Sequence, residues 1–104
     1  MKRFEVWLVM KSPEYGRVVD NLGLCTIVTP DELNNLTSLL VAPMTTSNQE
    51  IPSRVSCNFE GAKGFIMIAQ IRAVEKYCFI KKLGELESEV QVNLCDSLQE
   101  FFAY

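Results

Sequence analysis

Three consecutive hydroxyls, Thr45, Thr46 and Ser47, close the strongest core-strand signal of the chain, LTSLLVAPMTTS at 36–47. A buried strand that delivers hydroxyls to a surface is a common way to place chemistry on a rigid support. The bland alternative is a polar loop after a core strand. The chemistry open to these groups is narrow, because the chain contains no histidine. That removes the usual general base and the commonest ligand of transition metals. Any hydrolysis must run on Arg, Lys, Asp, Glu, Tyr, Ser or Thr. Among the cations, Arg17 stands alone in the loop SPEYGRVVDNL at 12–22. Eleven residues is long for a connection between strands, and long loops in compact domains are often functional.

The cysteines do not enlarge the set. Cys25, Cys57, Cys78 and Cys95 are 32, 21 and 17 residues apart, and each lies in an apolar segment. No pair has zinc-ligand spacing, so they read as small core residues of a reducing compartment. No metal and no cofactor is expected.

The elements that must position the hydroxyls come next. At 104 residues and 48% apolar composition the chain fits one domain, 1–104, with a proper core. Arg3–Lys11 predicts a first strand with Phe4, Val6, Leu8 and Met10 on one face. Gly23–Thr29 predicts a second. Thr29 as N-cap, Pro30 and Glu32 then predict a short helix, ended by left-handed Asn34-Asn35. Leu36–Ser47 is the third strand, Ser53–Phe59 the fourth, EGAKG at 60–64 a turn, and GFIMIA at 64–69 the fifth, carrying on through Gln70–Lys76. Tyr77–Ile80 predicts one more short strand. Val90, Leu94, Leu98, Phe101 and Phe102 form the apolar stripe of a C-terminal helix, with Ser88 and Gln91 as a capping box. The sum is a small antiparallel barrel or curled sheet with helices at its side. No apolar run reaches membrane-span length and MKRFEVW lacks a signal-peptide core, so a cytoplasmic protein without membrane contact is expected. The net charge of −3 argues against a generally basic nucleic-acid binder and leaves room for a local basic patch.

The chain resembles the MazF/PemK (Kid) toxins of type II toxin-antitoxin modules, in order and over nearly its whole length. The resemblance rests on EVWLV at 5–9, Pro13 with Gly16, VTPDELN at 28–34, LLVAPMTT at 39–46, PSRV at 52–55, GFIMIAQIRAVEK at 64–76 and KKLGEL at 81–86. It implies an SH3-like β-barrel with a C-terminal helix, a fold shared with the gyrase poison CcdB. It further implies a homodimer, a cognate antitoxin, a single-stranded RNA substrate, and operator DNA reached through the antitoxin complex. The implied reaction is endoribonucleolytic: the 2′-hydroxyl attacks the phosphate and leaves a 2′,3′-cyclic end. That chemistry needs a base, an acid and positive charge on the developing dianion, a role suited to guanidinium.

Carried over residue by residue, Thr45 falls on the family's catalytic hydroxyl, with Thr46 beside it. The family's Arg-Pro falls on Gly23-Leu24, its loop Glu on Val18, its acidic residue before QIR on Ala69, and the Kid-type Arg on Met67. The scaffold is kept while most of the charged chemistry is replaced. Arg17 is then the candidate substitute cation, and Thr46, Ser47, Lys11, Gln70 and Arg72 are candidate RNA contacts. Three readings stay open: an endoribonuclease toxin using Thr45 and a substitute cation, a non-catalytic dimer that binds antitoxin or RNA, and a CcdB-like poison of a protein target.

Overall fold

The structure is a computed structural model that describes residues 1–10, 22–46 and 53–103. Its strands are β1 (Glu5–Met10), β2 (Leu22–Ile27), β3 (Ser38–Thr45), β4 (Arg54–Phe59), β5 (Ala62–Met67), β6 (Arg72–Glu75) and β7 (Phe79–Glu85), followed by the helix α1 (Ser88–Phe102). The strands pair antiparallel in the order β4-β5-β3-β2-β1-β7, with β6 attached to β3. The sheet curls into a half-barrel closed on one side by α1, which is the mainly β, SH3-like architecture expected, with a single 3-10 turn at Asp31–Leu33 as the short helix after β2. No helix among the described residues is long and apolar enough to cross a membrane.

β3 holds the fold together by changing partners along its length. Its first half, Ser38–Val41, pairs with β6, while Met44 and Thr45 pair with Ile66 and Phe65 of β5. Pro43 falls between the two ladders, so its missing N–H interrupts neither. The switch also explains the unbroken apolar run. Leu39 and Val41 enter one buried cluster with Val9, Cys25, Ile27, Cys78 and Phe79. Ala42 and Met44, on the opposite face, enter a second with Val6, Val55, Ile66, Ile68, Val90 and Leu94. Each face is covered over a different half of the strand, and Leu36 and Leu40 remain exposed.

Several local expectations change. In β1 the buried apolar residues are Val6 and Val9, one in each cluster, rather than an even period-2 face. Register shifts against β7 between Val6 and Trp7 and between Leu8 and Val9 re-phase the strand. Thr29 does not cap a helix: its hydroxyl accepts from the Leu40 N–H at 2.7 Å, and Pro30 holds the cap position. Asn34 is right-handed, with φ −74°. The chain after β5 does not run straight on, because a 3-10 turn at Ile68–Gln70 redirects it so that β6 lies against β3. The strand expected at 77–80 is β7, preceded by a 3-10 turn at Lys76–Cys78 and extending to Glu85. The two glycines of EGAKG do not span one turn. Glu60 and Gly61 alone form a two-residue hairpin, both at positive φ, and β5 starts at Ala62.

The C-terminal stripe packs at Val90 and Leu94, partly at Leu98, and then leaves the core, since Phe101 and Phe102 are exposed. Full burial of Leu94 contributes roughly 1.5–3 kcal/mol. Ser88 is the first helical residue and makes no cap, whereas the Gln91 side chain donates back to the Leu86 carbonyl at 2.8 Å.

Candidate functional site

The change of partners in β3 opens the sheet where the hydroxyls emerge. β2 pairs with β3 only from Cys25 onward, so Gly23 and Leu24 face no strand on that side among the described residues. β5 pairs with β3 only at Phe65 and Ile66, which leaves Ala62, Lys63 and Gly64 likewise open beyond Thr45. Between these two free edges lies a groove of about 370 Å³, lined by Gly23, Leu24, Met44, Thr45, Thr46, Cys57, Phe59, Ala62, Lys63 and Gly64. Open strand edges present backbone donors and acceptors to whatever occupies such a groove.

Thr45 is half-buried at its floor and Thr46 is exposed just beyond it. The approach of β5 is tight. A Cβ on Gly64 would stand 2.9 Å from the Thr45 carbonyl oxygen, so only glycine lets the two strands come this close. Burial pushes the Cys57 thiol up from its ordinary value. It is therefore held protonated and is a poor nucleophile. Cys25, Cys57 and Cys78 are all buried free thiols, and Cys95 is half-buried. No group of three or more potential metal ligands occurs among the described residues.

Of the residues expected at a site, the structure brings Thr45 and Thr46 into one groove, together with Gly23 and Leu24, which stand where the resemblance places the Arg-Pro. Gln70 and Arg72 are exposed and do not line it. Arg72 pairs with Val41, four residues up β3 from Thr45, roughly 13 Å along the strand. Arg17, Lys11 and Ser47 lie outside the described residues. Met67, the Kid-type arginine position, has Arg54 as its cross-strand partner. The Arg54 guanidinium lies 4.1 Å over the Phe65 ring, whose residue is the partner of Thr45.

Two features escaped the sequence reading. Lys63 lines the groove, yet it sits in what looked like a turn, and only the register of β5 against β3 brings it beside Thr45. The other is the carboxylate of Glu5, buried in β1. It accepts from Trp7 Nε1 at 2.9 Å and pairs with Lys82 Nζ at 3.0 Å. Burial alone would raise its pKa. The Trp7 N–H, the Lys2 backbone and Lys82 outweigh that and hold it below the ordinary value. Glu5 and Lys82 tie β1 to β7, away from the groove.

Comparison with known proteins bears on the family and the fold. The profile of the family described as PemK-like, MazF-like toxin of type II toxin-antitoxin system matches residues 2–102. No curated protein sequence matches the chain significantly. Among solved structures, a crystal structure of MazE-MazF from Deinococcus radiodurans is 15% identical, with a TM-score of 0.81 over 97% of this chain and 94% of that one. MazF from the same organism is 14% identical, with a TM-score of 0.79 over 100% and 97%. An endoribonuclease in complex with its cognate antitoxin from Mycobacterial species is 18% identical, with a TM-score of 0.78 over 96% and 92%. At these identities the likeness establishes the fold.

Proposed function

The chain belongs to the PemK-like, MazF-like toxin family of type II toxin-antitoxin systems, and on that footing we propose that it is a metal-independent endoribonuclease toxin acting on single-stranded RNA in the cytoplasm. The observation that carries the reading is the groove itself. Thr45 and Thr46 share it with Gly23 and Leu24, the positions of the family's Arg-Pro. In the proposed reaction the 2′-hydroxyl oxygen attacks phosphorus, the bond from phosphorus to the 5′-oxygen breaks, and the proton lost from the 2′-oxygen is balanced by one gained at the 5′-oxygen. No water is consumed, and the products carry 2′,3′-cyclic phosphate and 5′-hydroxyl ends. Thr45 donates a hydrogen bond to a non-bridging phosphate oxygen as charge builds there. Thr46, Ser47, Lys11, Gln70 and Arg72 contact the RNA chain on either side, and Arg17, in the segment joining Met10 to Leu22, is the substitute cation of this reading. Both ends of that segment are held at the Gly23 side by the pairing of Met10 with Leu22 and Val9 with Gly23. The segments 12–22 and 47–52 select the RNA sequence. The partners of this reading are a second copy of the chain, a cognate antitoxin and, through the antitoxin complex, operator DNA.

A specific observation favours a second reading. Gly23 and Leu24 put no charge into the groove where the family has its arginine, and loss of such a group costs roughly a hundredfold or more in rate. The second reading is a non-catalytic dimer that binds antitoxin or RNA. Incubation of the purified protein with a long single-stranded RNA in the presence of a metal chelator, with the ends mapped, separates the two. Fragments with cyclic phosphate ends support the nuclease. Intact RNA together with growth arrest on expression points to a CcdB-like protein target, and intact RNA without arrest leaves the non-catalytic dimer.

A further inference from the structure

We propose that Lys63 is a further cation, beside Arg17, that binds the RNA phosphate at Thr45 and helps to fill the electrostatic place left open by Gly23-Leu24; the assignment rests on the RNA reading above. Among the described residues lining the groove, Lys63 alone carries a charge. It is exposed and makes no ion pair among the described residues, where the ion pairs join Lys82 to Glu5 and Glu85. Its neighbour Gly64 is pressed against the Thr45 backbone. The paired residue of Thr45 is Phe65, two positions further along β5, so Lys63 and Thr45 are separated by roughly 7 Å of strand. A four-carbon stem with a rotatable ammonium spans such a gap and meets an anion from any side.

The surroundings fix the side on which that anion sits. Lys63 also borders a second cavity, of about 240 Å³, on whose rim stand Glu87 and Glu89. Those carboxylates repel a phosphate, whereas the Thr45 side offers hydroxyls and open strand edges and no acidic group among the described lining residues. Arg54 is the rival cation. Its guanidinium is stacked on Phe65 and lines a different cavity, with Glu100 and Phe101. An ammonium is a point charge without the guanidinium fork, so this substitution keeps phosphate binding and gives up part of the orientation.

The test is binding of a 2′-O-methyl oligonucleotide, which lacks the attacking hydroxyl, measured by fluorescence anisotropy over a range of salt concentrations. Lys63→Gln is expected to lose about tenfold in affinity at low salt, and its plot of log affinity against log salt flattens by about 0.7, one phosphate contact. Lys63→Arg keeps both. Lys81→Gln, which makes the same change in net charge outside the groove lining, leaves the slope unchanged. Lys63→Gln binding with wild-type affinity and slope overturns the assignment, as does an equal loss in Lys81→Gln, or a loss confined to Arg54→Gln. Wild-type protein that does not bind overturns the RNA reading and this assignment with it. Wild-type protein that binds but never cuts unmethylated RNA leaves Lys63 in place and overturns only the nuclease.

Discussion

Gly64→Ala puts a methyl group into the contact that positions Thr45. The new Cβ would meet the Thr45 carbonyl oxygen at 2.9 Å, the Thr45 carbonyl carbon at 3.7 Å and Cys57 Sγ at 3.9 Å. Ordinary carbon contacts begin near 3.5 Å, so about 0.5 Å must be found. The atom in the way is backbone, pinned by the pairing of Thr45 with Phe65 and of Cys57 with Gly64, and it cannot rotate aside. Overpacking of this kind costs about 1–3 kcal/mol. Restriction of the unfolded chain by alanine offsets about 0.4–1 kcal/mol. The net, about 1–2 kcal/mol, lowers Tm by roughly 4–15 °C in a chain of this size. Misplacement of a reacting group by about 1 Å costs roughly a hundredfold, so a shift of half that lowers RNA cutting about tenfold. Thermal and urea unfolding followed by circular dichroism, with cutting measured well below Tm, reads both effects. A Gly64→Ala protein as stable and as active as wild type would show that β5 does not approach Thr45 as described.

Two other perturbations test the scaffold. The folded-state pKa of Glu5 lies below its ordinary value of 4.5, so its carboxylate adds stability above that value, and the gain is lost as pH falls through the lower folded pKa. Glu5→Gln should therefore cost roughly 1.5 kcal/mol at pH 7 and much less near pH 3; urea midpoints that show an equal loss at both pH values contradict it. In the β4–β5 hairpin, Glu60 has φ 51° and Gly61 φ 79°. Glu60→Asn should stabilise by a few tenths of a kcal/mol, since Asn tolerates this conformation, and Gly61→Ala should destabilise by about 1 kcal/mol, with the opposite order of unfolding midpoints as the refuting result.

The fold was legible in the chain to the extent that local pattern decides it. Leu36–Ser47, Ser53–Phe59 and the stripe from Val90 to Leu98 announce a strand, a strand and a helix, and these stand within two residues of their expected ends where the stripe is buried. The sequence shows only the start of β7, because FIKKLGE has no clean alternation. Its two register shifts against β1 break the period that sequence reasoning relies on. Thr29 reads as a helix cap by type, yet a tertiary partner, the Leu40 N–H, claims its hydroxyl. The site was legible only along β3. Thr45 and Thr46 are consecutive in sequence, whereas Lys63, Gly23 and Leu24 join them through sheet register, which no local pattern encodes. Glu5 was invisible for the same reason, because its partner Lys82 is on a strand that sequence reasoning had stopped short of.

If the Thr45 hydroxyl acts on an RNA phosphate in the groove, its removal should abolish most of the cutting. Metal-free cleavage of single-stranded RNA by wild type, Thr45→Ser and Thr45→Ala tests it directly. Wild type should give 2′,3′-cyclic phosphate ends, Thr45→Ser should keep most of the rate, and Thr45→Ala should lose roughly a hundredfold or more with Tm little changed. Cleavage by Thr45→Ala at the wild-type rate would contradict it.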